Sequence, residues 1–366
     1  MKKIVILSAF LSPLRSGAEA CAEEVPLALA DQFDFTIITA RMRRDLQKKD
    51  KLQGKIPVIR VGFGCTFDKW LFPFLAPLAV RKIKPDVIHA VLETFAGLAL
   101  VFCKAPKKIL TCQTTNRSFL KGFIVKKADN VTAISTALVK IIKPYRSDQI
   151  VKIPNGIHVQ DFEEARKRIK KVPGRILFVG RLEQQKGVDI LLRAFASLTP
   201  NPSPEGRGEP PSPFGGRIED GGIALRIVGD GSQKKLLLKI TTDLGISDRV
   251  EFIGWVSADK IAEEYAAAEI FCGLSRSEAL GNVFIEAQAA GCYVIHTNVG
   301  GITDIVDKGG AGWGINLDED VIAEAAKAIN ESLGDDHLLK RASESGITNA
   351  QKYDWKDIAE QYAKLY

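Results

Sequence analysis

The chain has 366 residues, 46% hydrophobic and 26% charged, with a net charge of +7 and six cysteines. It is long for one domain and ordinary in composition for a soluble globular protein, so two domains are expected. Cys21, Cys65, Cys103, Cys112, Cys272 and Cys292 form no C-x-x-C, and no histidines lie at metal-ligand spacing. That argues against a disulfide scaffold and a zinc module, and reduced thiols in a cytoplasmic protein are expected.

The start, Met1-Lys2-Lys3 before Ile4-Val5-Ile6-Leu7, superficially mimics a signal peptide. The apolar run is short and leads into a Gly17 loop and a helical pattern, so a first strand is expected. Further strands are predicted at 35–39, 57–61, 86–91, 108–112, 130–135 and 150–153, with helical stretches between most of them. Such alternation implies a parallel sheet with right-handed crossovers. No stretch reaches the ~18 apolar residues that span a bilayer. The nearest, 70–80, is shorter and carries Pro73 and Pro77. A polar segment at 161–171 reads as a linker or a charged helix. The strand pattern then restarts at 175–180 and continues at 225–229, 250–253, 270–274 and 293–297, with helices ending the chain. The fold class expected is therefore α/β, two Rossmann-like α/β/α domains facing across a cleft, with ligands outside the carboxyl ends of strands. The proline- and glycine-rich segment 200–222 interrupts a helix-to-strand connection and is expected to be a disordered, dispensable insertion.

Charge divides unevenly. Residues 1–160 hold 26 Lys and Arg against 12 Asp and Glu, a balance of +14, and residues 161–366 hold 25 against 32, a balance of −7. Two domains with different partners are expected. The basic run Arg41, Arg43, Arg44, Lys48, Lys49, Lys51, Lys55 and the apolar stretch 67–80, with Trp70, Phe72 and Phe74, point to an anionic membrane surface. The alternative is a buried helix with solubilising lysines.

Four features of the second half bear chemistry. Val179-Gly180-Arg181-Leu182-Glu183-Gln184-Gln185-Lys186-Gly187 places a guanidinium and an ammonium at a strand end, both suited to phosphate. Ile227-Val228-Gly229-Asp230-Gly231 is a tight turn before a helix. Phe252-Ile253-Gly254-Trp255 offers backbone to a flat base. Ser277-Glu278-Ala279-Leu280-Gly281-Asn282-Val283-Phe284-Ile285-Glu286 sets two carboxylates around a glycine turn at a helix start, and Gly300-Gly301 follows. Helix N-termini attract anions, and carboxylates accept hydrogen bonds from sugar hydroxyls. Together they suit a nucleotide sugar.

In this order and spacing the motifs resemble the retaining glycosyltransferases of GT-B fold, family 4. The likeness is strongest over 175–306. In the first half, Ser16-Gly17-Ala18-Glu19, Pro85-Asp86-Val87-Ile88-His89-Ala90 and Ile153-Pro154-Asn155-Gly156-Ile157 match more loosely. The resemblance implies an acceptor-side domain at 1–160, onto which 353–366 crosses back, and a donor-binding domain at 161–352. It implies that Arg181 and Lys186 hold the donor diphosphate, Glu286 the ribose, and Glu278 with the amides near Gly281, Asn282 and Val283 the transferred sugar. Gly17 would let a backbone amide approach the phosphates. The two cations would offset charge on the leaving diphosphate. The implied reaction moves a sugar from a nucleotide-diphosphate sugar to a glycan or lipid-linked acceptor with retention, at the inner face of the membrane. It serves cell-envelope polysaccharide synthesis and needs no cofactor, metal or nucleic acid.

Some positions depart from the family. Val91 stands where a histidine is frequent, leaving His89 and Glu93 as acceptor-side candidates, and Gln113 also replaces a histidine. Rival readings are a nucleotide-sugar epimerase and a degenerate transferase that only binds. A dinucleotide oxidoreductase is disfavoured because Gly229-Asp230-Gly231 lacks the third glycine of that fingerprint. Asp318-Glu319-Asp320 is read as a helix cap, not a metal site.

Overall fold

The computed structural model describes residues 1–14, 17–116, 120–146, 148–198, 224–306 and 310–366. The segment 200–222 expected to be an insertion lies outside them. Two compact units form, Met1–Gly156 with Tyr353–Tyr366, and Ile157–Lys352.

The first unit runs β1 (Lys3–Leu7), α1 (Ala20–Ala28), β2 (Asp34–Ala40), β3 (Lys49–Leu52), β4 (Ile56–Val61), α2 (Asp68–Ile83), β5 (Val87–Val91), α3 (Phe95–Phe102), β6 (Lys107–Cys112), α4 (Lys121–Lys126), β7 (Asn130–Ala133), α5 (Thr136–Ile142) and β8 (Val151–Lys152). The sheet order is β3-β4-β2-β1-β5-β6-β7-β8, and only β3 pairs antiparallel. Central strands read as continuous apolar runs such as Ile4-Val5-Ile6-Leu7 because both faces are covered. The chain steps one way from β1 to β2 and the other way from β4 through β7. Right-handed crossovers therefore put α1 on one face and α2, α3 and α4 side by side on the other. The polar edge strand Lys49-Asp50-Lys51-Leu52 carried no apolar signal and was not expected.

The second unit runs α6 (Val159–Arg168), β9 (Arg175–Val179), α7 (Val188–Ser197), β10 (Ala224–Val228), α8 (Lys234–Asp243), β11 (Val250–Gly254), α9 (Ala258–Ala267), β12 (Ile270–Gly273), α10 (Asn282–Ala289), β13 (Tyr293–Thr297), α11 (Ile302–Ile305), β14 (Gly312–Ile315), α12 (Val321–Leu333) and α13 (Asp336–Ala350). Its six strands are parallel in the order β11-β10-β9-β12-β13-β14. The segment read as linker or helix is helical through Arg168, with Val159, Phe162 and Ala165 buried. Asp320 caps α12 by accepting from the Ile322 and Ala323 amides, as its position suggested.

A last helix, α14 (Trp355–Ala363), packs on α1 within the first unit and buries Trp355, Ile358, Ala359 and Tyr362. The Tyr366 ring lies edge-on to Phe33 and Phe35. Under α14, the His89 of β5 is fully buried. Its Nδ1 is 2.8 Å from Tyr366 Oη and its Nε2 2.7 Å from Thr111 Oγ1.

In the second unit, the loops leaving the carboxyl ends of the strands touch backbone to backbone. A Cβ at Gly229 would lie 1.9 Å from the Gly180 carbonyl oxygen, one at Gly187 1.9 Å from that of Leu274, and one at Gly300 1.7 Å from that of Glu278. Gly300→Ala is expected to cost about 3 kcal/mol in denaturant unfolding, because a backbone carbonyl cannot yield as a side chain does. At Gly254, where φ is +80° and the space is open, the same change is expected to cost about 1 kcal/mol, the left-handed backbone penalty alone.

Burial holds the His89 imidazole neutral, with its pKa lowered to about 3. Unfolded histidine protonates near ~6.5. Between these values the unfolded chain binds the extra proton, so this contribution is complete above pH ~6.5 and is lost as pH falls toward 3. Acidification from pH 7 to 5 is expected to cost about 2 kcal/mol through His89. Urea titrations of the wild type and His89→Gln should differ by that slope.

Candidate functional site

The site is built on the strand-end loops of the second unit. After β9, Leu182 is buried and anchors the chain, its amide donating to Asp230 O at 2.9 Å and its carbonyl accepting from Gln233 N at 2.9 Å. This leaves Arg181 exposed at the head of the loop. A single turn, Gln184–Lys186, follows, and Gly187 enters α7 at φ +67°. Glu183 faces the next loop, accepting from Ser232 N at 3.1 Å and Ser232 Oγ at 2.6 Å. Those bonds hold its carboxyl below the usual range.

The β12–α10 loop is tied to this turn from the other side. Arg276 donates from its amide to Gln185 O (2.7 Å) and from Nη1 to Gln184 O (2.7 Å). Its guanidinium also grips Asp189 in a fork, at 2.8 and 2.7 Å. Gln185 Nε2 returns a bond to Ser277 O at 2.7 Å. Lys186 and Glu278 consequently meet, with Nζ 2.7 Å from Oε1 and 3.0 Å from Oε2. Their side chains are 16% and 10% exposed, mostly shielded but still reached by solvent.

Gly281, at φ +93°, turns the chain into α10, so Asn282 and Val283 form its first turn. Amides of a first helical turn lack intrahelical partners and present partial positive charge. One turn on, Glu286 accepts from Tyr265 Oη at 2.8 Å. Burial raises its pKa, and the tyrosine bond offsets part of that. Gly229 and Gly254 sit at the ends of β10 and β11, where Gly229 N donates to Gly254 O at 2.7 Å. Gly229 is required by its contact with Gly180, and Trp255, beyond Gly254, is largely exposed.

Sequence reading thus named Arg181, Lys186, Glu278 and Glu286, and the structure joins Lys186 directly to Glu278. It missed Arg276, Asp189 and Tyr265, which position them. An arginine two residues before the first glutamate was the available signal, but its partner lies 87 positions away.

In the first unit the two acceptor-side candidates are not solvent-facing. His89 has both ring nitrogens occupied in the core under α14, because a mid-strand residue points into a face that α14 covers. Glu93 is buried in an ion pair with Lys121 at 2.9 Å. It also accepts from Gln113 N (2.9 Å), Thr114 N (3.2 Å) and Thr114 Oγ1 (2.8 Å). Beside it Asn155 Nδ2 donates to Gln113 Oε1 at 3.1 Å. This leaves Gln113 Nε2 and Asn155 Oδ1 buried and unpaired. Gly17 is exposed in the loop after β1.

Residues 159–349 match the family of glycosyl transferases group 1, and residues 15–161 match Glycosyltransferase Family 4. A D-inositol 3-phosphate glycosyltransferase of Nocardia farcinica is 29% identical, covering 81% of this chain and 64% of that protein. The gpi3 subunit of the phosphatidylinositol N-acetylglucosaminyltransferase of Schizosaccharomyces pombe is 26% identical over 68% of this chain, which spans only 50% of it. Among solved structures, the sucrose-phosphate synthase of Thermosynechococcus elongatus superposes with TM-score 0.82 at 20% identity, covering 100% of this chain and 98% of that one. HepE of Anabaena, solved with UDP and glucose, gives 0.74 at 21%, covering 100% and 99%. These share the GT-B fold of two parallel-sheet domains, and the chain belongs to the group 1, family 4 type glycosyltransferases.

Proposed function

We propose that this chain transfers a sugar, with retention at the anomeric carbon, from a nucleotide-diphosphate sugar to a glycan or lipid-linked acceptor presented at a membrane. The observation that carries it is the Lys186–Glu278 pair, formed by the two loops that also carry exposed Arg181 and lead into the first turn of α10. An ammonium, a guanidinium and helix amides suit a diphosphate, and two carboxylates suit hydroxyls. Support for the donor class comes from HepE, solved with UDP and UDP-glucose.

In this reading the diphosphate takes Lys186 from Glu278, and the released carboxylate turns to the transferred sugar. Arg181 and Lys186 then meet the charge that grows on the leaving diphosphate, which lowers the barrier more than it tightens ground-state binding. Glu286, its second partner Tyr265 fixing the carboxylate, accepts from the ribose. On the first unit, one hydroxyl accepting from Gln113 Nε2 and donating to Asn155 Oδ1 would satisfy both unpaired atoms.

A thermal-shift screen with UDP-, GDP- and ADP-sugars identifies the donor, since a ligand of the native state alone raises stability by mass action. With that donor, Arg181→Ala and Lys186→Ala are each expected to lower turnover by roughly two orders of magnitude. Near-normal turnover in the folded double variant would sink the assignment.

The two glutamates are expected to part in calorimetry with the free nucleoside diphosphate. Glu286→Ala should weaken it roughly tenfold, the loss of a bond to a charged group. Glu278→Ala should leave it equal or tighter, because Lys186 no longer has to be freed, while the intact sugar donor binds more weakly. Parallel losses in both variants would mean the roles are not divided.

A further inference from the structure

We infer that the α2–α3 face of the first unit is a docking surface for an anionic lipid bilayer. The inference rests on the membrane-presented acceptor proposed above and names the surface that meets the membrane. One side of α2 packs on the sheet through Phe72, Ala76 and Val80, all essentially inaccessible. The opposite side carries Phe67, Trp70, Phe74 and Leu78, which are 60%, 56%, 61% and 54% exposed. A helix apolar on both sides is expected to be covered on both. The exposed residues recur at three- and four-residue steps, so they form one stripe. The stripe continues sideways. Trp70 meets Phe95 of α3 edge-on at 5.0 Å, and Phe74 stacks on Phe102, itself half-exposed, at 5.7 Å. Phe123 on neighbouring α4 is also 48% exposed.

Charge identifies the occupant. From 63 to 127 the acids are Asp68, Asp86 and Glu93. Asp68 is buried under the Phe63, Gly64 and Cys65 amides, Glu93 is buried against Lys121, and Asp86 is tied to the Lys3 amide. Asp86, and Asp129 just beyond this stretch, stay exposed, but exposed basic residues outnumber them on this face. α2, α3 and α4 all follow parallel strands, so their C-terminal ends lie along one edge. That edge carries Arg81, Lys82 and Lys84, then Lys104, then Lys126 and Lys127, all exposed. Apolar and aromatic side chains edged by six exposed cations against two exposed acids suit the boundary of an anionic leaflet better than a protein partner, whose surface would offer both signs. The 41–55 run is a weaker contact than its composition suggested. Arg41 is spent on Leu46 O and Arg44 O, Arg43 pairs with Asp45, and Lys49 and Lys51 lie on the open edge strand β3, where lysines deter strand pairing.

The test is co-sedimentation of the full chain with vesicles of phosphatidylcholine alone and with phosphatidylglycerol. Binding is expected to require phosphatidylglycerol and to weaken with salt. Each basic residue near the leaflet contributes a factor of about five, so Arg81→Gln/Lys82→Gln/Lys104→Gln should lose roughly a hundredfold. Trp70→Ser/Phe74→Ser, with an unchanged melting temperature, should lose binding as well. Equal binding to both vesicle types, none to either, or binding unaffected in both variants would overturn the inference. So would a wild-type dimer in solution that these variants dissolve, since the face would then join two copies. The thermal-shift screen with UDP-, GDP- and ADP-sugars measured alongside separates the readings, because the absence of a shift with all three counts against the donor reading and leaves the docking result standing.

Discussion

The carbonyl oxygens of Gly180, Leu274 and Glu278 each lie where a glycine neighbour would otherwise carry a side chain. Four loops leaving β9, β10, β12 and β13 are thereby locked at backbone distance, closer than any side-chain packing allows. The lock sets the site. Gly187 brings the Lys186 turn against the end of β12, and Gly300 holds the backbone of Glu278 from the other side. Ser275 O accepts from Thr297 Oγ1 at 2.5 Å, which joins the same loops through β13. Without these contacts a four-carbon lysine stem and a glutamate from distant segments would not share one geometry.

Two ion pairs fix the Lys186 turn, and they differ in kind. Arg276 and Asp189 form a planar fork, and Arg276 adds two bonds from the same residue to backbone carbonyls. That geometry orients as well as attracts, and exchange of Arg276 for lysine would not conserve it. Lys186 and Glu278 form a point charge against a carboxylate, the contact that the proposed donor diphosphate would displace. One pair holds the loop and the other is available for exchange.

Much of the fold is legible because hydrophobic period and strand spacing are local signals. Every parallel strand with a β-branched core, from Ile4 to Ile295, announces itself. The exceptions are physical. β3 is a polar edge strand with no buried face to pattern, and β14 is half glycine. The site is legible as a set of residue types at loop positions, and less so as a geometry. Arg181 and Lys186 lie five positions apart and both read as phosphate ligands, yet one is exposed and the other paired. His89 misled because a histidine on a strand shows its type and not which face α14 covers. Tyr366, the residue that occupies it, lies 277 positions away.

A comparison of the two carboxylate–lysine pairs shows how burial decides role. Glu93 and Lys121 are 1% and 2% exposed, and Glu93 accepts three further bonds from Gln113 and Thr114. Desolvated and fully bonded, neither partner gains by leaving, and removal of either would strand a charge at about 3–5 kcal/mol. Lys186 and Glu278 have the same chemistry at similar distance, but each keeps a tenth or more of its surface in water. Water reaches part of this pair, so separating it costs less than separating Glu93 from Lys121. The same residue types thus form a rivet in one unit and, in the proposed reading, an exchangeable contact in the other. The difference lies in depth below the surface, which the residue types alone do not record.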